Sequence, residues 1–133
     1  MYFLDTNIFL HLIFPKVDRV KHANVVALFE KAALGEISLW TTEWVVAELI
    51  WFLGRKNFNW KKIQQSMLED VFGTKGLEVR GRKWLEEVIE KAKKPTDFVD
   101  LVNLEILAGE KVKYIYSYDH GFDKYKGFKR LEP

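Results

Sequence analysis

The sequence predicts an α/β fold, with helices layered on both sides of a central, mainly parallel sheet of four to five strands. Three observations predict it. Short β-rich runs alternate with helical stretches along the whole chain, an order that places parallel strands in one sheet flanked by helices. The hydrophobic share of 48%, with 15% aromatic residues, is ample for a packed core and too high for disorder. Across 133 residues there is no internal repeat, low-complexity tract or linker, so residues 1–133 read as one domain.

The elements follow in order. MYFLD (1–5) reads as a short strand ending at Asp5. Thr6 or Asn7 can cap a helix that runs to about Phe14 and is stopped by Pro15. Asp18 opens a second helix, in which Val20, Ala23, Val26, Ala27, Phe29 and Ala33 keep helical spacing and Gly35 marks the end. ISLW (37–40) is a strand. Thr41 or Thr42 then caps TEWVVAELIWFLG, an almost wholly apolar helix closed by Gly54. Asn59 begins a helix to about Phe72, and GLEVRG (76–81) holds a strand. RKWLEEVIEKAKK is amphipathic and ends before Pro95, and TDFVDLVNLEILAGE is a further helix. VKYIYS (112–117) is a strand, YDHGFDKYKGF a loop with room for one helical turn, and FKRLEP a candidate edge strand.

Composition excludes several classes. With no Cys there is no disulfide, thiolate nucleophile or Cys-based zinc site. His11, His22 and His120 are too scattered for a metal motif. No apolar run approaches the roughly 20 residues of a membrane span, and the start lacks a basic region ahead of its apolar run. The expectation is a soluble, cytoplasmic protein. A net charge of +2 suits a polyanion substrate over an acidic centre, or an ordinary mixed surface.

Four acids are conspicuous because their neighbours are apolar. Asp5 interrupts MYFLDTNIFLHLIF, where a buried carboxylate needs compensation; a lone acid there can also be an N-cap. Glu48 sits within WVVAELIWFL with no Lys or Arg one turn away, so it either meets a distant base or faces a polar pocket. Glu43, one turn earlier, suits the helix dipole. Asp97, Asp100 and Asn103 make a polar line along one helix face, with Asp97 the better cap and Asp100 the better site residue. Asp119 directly follows a strand, where a turn role is the plain alternative, and Asp123 follows as a fifth acid. Strand ends are where ligands gather in parallel sheets. Four converging carboxylates repel unless a cation joins them, and oxygen donors without Cys or a His pair point to Mg²⁺ or Mn²⁺, one ion or two. In-line attack on a phosphodiester is the chemistry such ions support.

These segments resemble the PIN-domain family, and within it the VapC-type toxins of toxin–antitoxin pairs. FLDTNIFL (3–10) is similar to the family's hydrophobic–Asp–Thr–Asn start. TTEWVVAELIWFL (41–53) looks like the segment carrying its Glu, here Glu48. DLVNLEILAGEKVKYIYSYDHGFD (100–123) is similar to its Asp-led helix, strand and closing Ser-x-Asp-x-x-Phe, here Ser117, Asp119 and Phe122. The resemblance implies an α/β/α PIN fold and an acidic cluster of Asp5, Glu48, Asp100 and Asp119, with Asn7 and Ser117 as polar supports. It also implies a Mg²⁺- or Mn²⁺-dependent endoribonuclease, frequent homodimers and a small antitoxin partner.

For RNA contact the leading candidates are Lys124, Lys126, Lys129 and Arg130, interleaved with Tyr125 and Phe128; the alternative is a solvated charged face. Trp44 and Trp51 share a helix face and are expected in the core, while Trp51, Phe52, Phe58 and Trp60 are a candidate partner surface. Other readings stay open. An aspartyl-phosphate phosphatase also ends its first strand in Asp, but Asn7 stands where its second Asp belongs. A nuclease of RNA maturation and a non-catalytic RNA-binding scaffold keep the same fold.

Overall fold

The computed structural model describes residues 1–133. Its elements are β1 (Tyr2–Phe3), α1 (Thr6–Ile13), α2 (Arg19–Ala33), β2 (Leu39–Thr41), α3 (Glu43–Arg55), α4 (Trp60–Ser66), β3 (Leu77–Val79), α5 (Arg82–Lys91), α6 (Pro95–Gly109), β4 (Tyr114–Tyr116) and β5 (Lys129–Leu131). A π-type turn, Met67–Phe72, prolongs α4, and a 3₁₀ turn, His120–Lys124, joins β4 to β5.

The five strands are parallel, as the alternation predicts, but they form two sheets rather than one. The first has the order β1-β2-β3, with Tyr2 opposite Leu39 and Leu39 opposite Leu77. The second is β4 with β5, Tyr114 opposite Lys129. β1 therefore keeps one edge unpaired. The Thr41 hydroxyl, fully buried, donates to the Leu4 carbonyl at 2.9 Å and fixes the start of the chain against β2.

The core gathers Phe9, Val46, Leu49, Ile63, Leu85 and Phe98 from α1, α3, α4, α5 and α6. Its polar edges are satisfied: Trp60 Nε1 donates to the Ala92 carbonyl, and no buried side-chain polar atom lacks a partner. Gly76, at φ +82°, passes so close to Ala32 that a Cβ there would collide with that carbonyl.

Several helix signals act as expected. Asp18 accepts from the Lys21 N–H at 3.0 Å and Asn59 from the Lys62 N–H at 2.9 Å, each capping its helix. Others do not. Gly54 lies inside α3 and faces the Pro95 ring, and the left-handed residue after the helix is Asn57. The buried residues of α2 are Val25, Phe29 and Ala32; of the expected line Phe29 is buried, Val26 and Ala33 are half-buried, and Val20 is exposed. Val25, Phe29 and Ala32 keep helical spacing and turn one stripe of α2 to the core. Lys94, not Asp97, precedes the first turn of α6, because Pro95 takes the first helical position.

The tryptophans also depart from expectation. Trp44 is 74% exposed and Trp51 58%, so the core reading fails for both. Trp60 is buried, which removes it from the expected partner surface. An apolar cleft of about 410 Å³ opens instead between α3, α5 and α6, lined by Trp44, Trp84, Phe98, Val102 and Ile106.

Candidate active site

Asp5 follows β1 and opens α1 in extended backbone (φ −87°, ψ 165°), and its carboxylate caps nothing. The neighbours on either side, Leu4 and Thr6, are 3% and 7% exposed, while Asp5 itself is exposed. Asp5 stands just before the first turn of α1, beyond the two residues of β1, and is left in solvent. The compensation that burial would have required is not needed.

Thr6 directs its hydroxyl across to α3, donating to Glu48 Oε2 at 2.5 Å. Glu48 is exposed and pairs with no base, which excludes the buried ion pair. It shares its face of α3 with Trp44 and Trp51, one turn before and after. Thr6 is the residue sequence reasoning passed over, having treated it only as a cap. The available signal was a small polar residue directly after Asp5 at the head of a mostly apolar helix. Asn7 is exposed beside them.

A second acidic group forms between α6 and the loop after β4. Asp97 is buried and accepts from the Lys93 N–H at 3.1 Å and from Lys124 Nζ at 3.4 Å. Burial pushes its carboxyl upward, but the Lys93 N–H and the Lys124 ammonium outweigh that and hold it below the usual value. Asp100, one turn on, is pushed the other way, first by burial and then by the negative charge of Asp119, with Lys124 opposing. Asp119 accepts from the Gly121 N–H at 2.7 Å, while its own N–H donates to Ser117 Oγ at 3.0 Å. This is the turn geometry expected of an Asp-x-Gly step. It fixes the carboxylate at the strand end without burying it.

Asp123 is occupied elsewhere. Arg130 Nε donates to it at 2.8 Å and His120 Nδ1 lies 3.0 Å away, and Arg130 foremost holds its carboxyl below the usual range. Arg130 also donates to the Ser117 carbonyl and to Glu132, both at 2.7 Å, with little of its side chain exposed. It is a clamp within the C-terminal segment. Lys124 is tied to Asp97, whereas Lys126 and Lys129 are exposed and free of ion pairs. Glu43, expected only to meet the helix dipole, is gripped by Arg80 through two hydrogen bonds of 2.6 and 2.7 Å.

The oxygen donors are of the kind that hard divalent cations take. Their arrangement does not fit one: Glu48 is held by Thr6, the neighbour of Asp5, Asp100 feels the charges of Asp119 and Asp97, and no three acids or histidines stand close enough to hold a metal ion.

Neither the curated proteins nor the solved structures include a match to this chain. A family model described as PIN domain matches residues 2–127. That span covers both acidic groups and all but the last few residues, so the chain belongs to the PIN-domain family, whose members are generally metal-dependent nucleases.

Proposed function

We propose that this chain is a divalent-metal-dependent endoribonuclease and the toxin of a toxin–antitoxin pair. The observation that carries the nuclease reading is the PIN match over residues 2–127 in a chain that retains Asp5, Glu48, Asp100 and Asp119 in order. Two of these follow parallel strands, the position where such sheets present ligand-binding groups. The Thr6–Glu48 hydrogen bond and the Asp119 turn give two of the acids defined positions at the surface. All four are oxygen donors of the type Mg²⁺ and Mn²⁺ prefer. Lys126 and Lys129, exposed and unpaired, supply positive charge for a phosphate backbone.

The toxin assignment rests on the likeness of FLDTNIFL and YSYDHGFD to VapC-type segments. The exposed apolar cleft beside Trp44 supports a protein partner, because monomeric soluble chains seldom leave such surface bare. A small antitoxin and a second copy of this chain are the proposed partners.

The test is a panel of single-stranded and structured RNAs, with DNA of matching sequence, incubated with Mg²⁺, with Mn²⁺, or with a chelator. Internal cleavage of RNA that needs the metal and spares DNA is the expected result. Cleavage of DNA alone, or cleavage indifferent to chelator, overturns the reading.

A further inference from the structure

One face of the small sheet is largely tyrosine. We propose that Tyr114, Tyr116 and Lys129, with Tyr118 at the bend beyond β4, form a stacking platform for the unpaired bases of single-stranded RNA. The choice of RNA rests on the nuclease reading above; the platform itself stands on side chains outside the acidic groups.

The first observation is how the strand alternates. Tyr114 is 63% exposed, Tyr116 69% and Tyr118 71%, whereas Ile115 and Ser117 between them are half-buried. Residues two apart on a strand share a face, so Tyr114 and Tyr116 stand side by side on the outer one. The parallel register sets Lys129 beside Tyr114 and Leu131 beside Tyr116, and pairs Arg130 with Ile115 on the other face. With these exposures no other part of the chain covers the tyrosines.

The second is the type of residue. Three of the chain's five tyrosines stand in the run Tyr114–Tyr118. A parallel strand built to be covered by a helix is ordinarily rich in Val, Ile and Leu. Tyrosine keeps its hydroxyl in water and offers a flat aromatic face, and any nucleobase can stack on such a face. Rings at every second residue stand about 6.6 Å apart along a strand, roughly twice the 3.4 Å rise of stacked bases. A duplex, with its bases paired and stacked, cannot fit rings at that spacing. An unpaired strand with splayed bases can.

The third is charge and place. Lys113 and Lys129 are exposed and flank Tyr114, one along the chain and one across the ladder, and neither forms an ion pair. Phosphates of a strand lying on the rings therefore meet positive charge. Two acids of the same segment, Asp123 and Glu132, are already offset by Arg130. Tyr118 directly precedes Asp119, whose carboxylate is fixed by the Gly121 N–H, so a strand on the tyrosines runs beside one of the candidate catalytic acids. A second copy docked on this face around a two-fold axis would bring Lys129 toward its equal, like charge on like. A polyanion is the occupant that the charge favours.

The experiment measures binding without cleavage. A fluorescein-labelled oligoadenylate of about 12 nucleotides, alone or paired with oligouridylate, is titrated with the full chain in EDTA, and anisotropy is read across a salt series. The single strand should bind at least about tenfold more tightly than the duplex. Tyr114→Ala and Tyr116→Ala should each weaken that binding by about tenfold with the salt slope unchanged, while Tyr114→Phe and Tyr116→Phe stay within about twofold of wild type. Lys129→Ala should instead lower the slope by about one counter-ion. Failure of the wild type to bind the single strand, equal binding of the duplex, or Ala variants that bind as wild type overturns the platform. Phe variants as weak as the Ala variants overturn stacking in favour of the hydroxyls. A doubled mass in light scattering that Tyr116→Ala abolishes gives the face to a second copy and overturns the proposal too. No arm involves cleavage, so the nuclease reading stands or falls separately, on the metal-dependent RNA panel.

Discussion

The Thr6 hydroxyl meets Glu48 Oε2 at 2.5 Å, tying the first turn of α1 to the exposed face of α3. Thr6 is itself buried, so its hydroxyl has no water to fall back on. Thr6→Val should cost about 1 kcal/mol, the scale of one hydrogen bond to a charged group partly screened by solvent. That lowers the melting temperature by about 3–5 °C in a chain of this size. Thr6→Ser keeps the donor and should recover most of the loss. Thermal unfolding of the pair decides it.

Asp100 makes stability depend on pH. Its carboxyl titrates above its ordinary value of 3.8, because of burial and then the charge of Asp119. The folded chain thus holds that proton more tightly than the unfolded one. Stability falls as pH rises from the ordinary value through the raised one, and the penalty is fully present above both. Asp100→Asn should melt higher than wild type at pH 7 without metal. The difference should shrink as pH is lowered below 3.8. Melting curves across pH show it.

The tryptophans should separate cleanly. Trp44→Ala, at an exposed position, is expected to leave folding stability within about 0.5 kcal/mol of wild type. Trp60→Ala opens a cavity and removes the donor to the Ala92 carbonyl, so it should cost about 3–5 kcal/mol. Urea unfolding of the two variants gives both values.

The basic tail divides in the same way. Arg130→Ala should speed amide exchange throughout β4 and β5, because the clamp on Asp123 and Ser117 is lost. Lys126→Ala and Lys129→Ala should leave exchange unchanged. They should weaken RNA binding and each reduce its salt dependence by about one counter-ion. Exchange and salt-titrated binding, run on all three, distinguish the clamp from the contacts.

Local chemistry made much of this legible. The caps at Asp18 and Asn59, the strand at Lys129–Leu131 and the turn at Asp119 all follow from residue type and near neighbours. Asp5 shows where that reasoning stopped short. The apolar run suggested burial, yet Asp5 lies beyond β1 at the start of α1, exposed between buried Leu4 and Thr6. Glu48 was singled out for lacking a nearby base, but its partner, Thr6, lies 42 positions away and carries no charge. Trp44 and Trp51 looked like core because α3 is apolar nearly all round; a helix of that composition also forms the wall of an exposed cleft. The division into two sheets was not legible, since alternation predicts parallel strands without saying which edges meet.

We propose that Asp5 belongs to a metal-dependent nuclease centre. The most direct measurement titrates Mg²⁺ and Mn²⁺ into wild type and Asp5→Asn by calorimetry, then follows RNA cleavage by each. Wild type should bind the metal and cleave, and the variant, still folded, should do neither. Cleavage by Asp5→Asn at the wild-type rate would contradict the account.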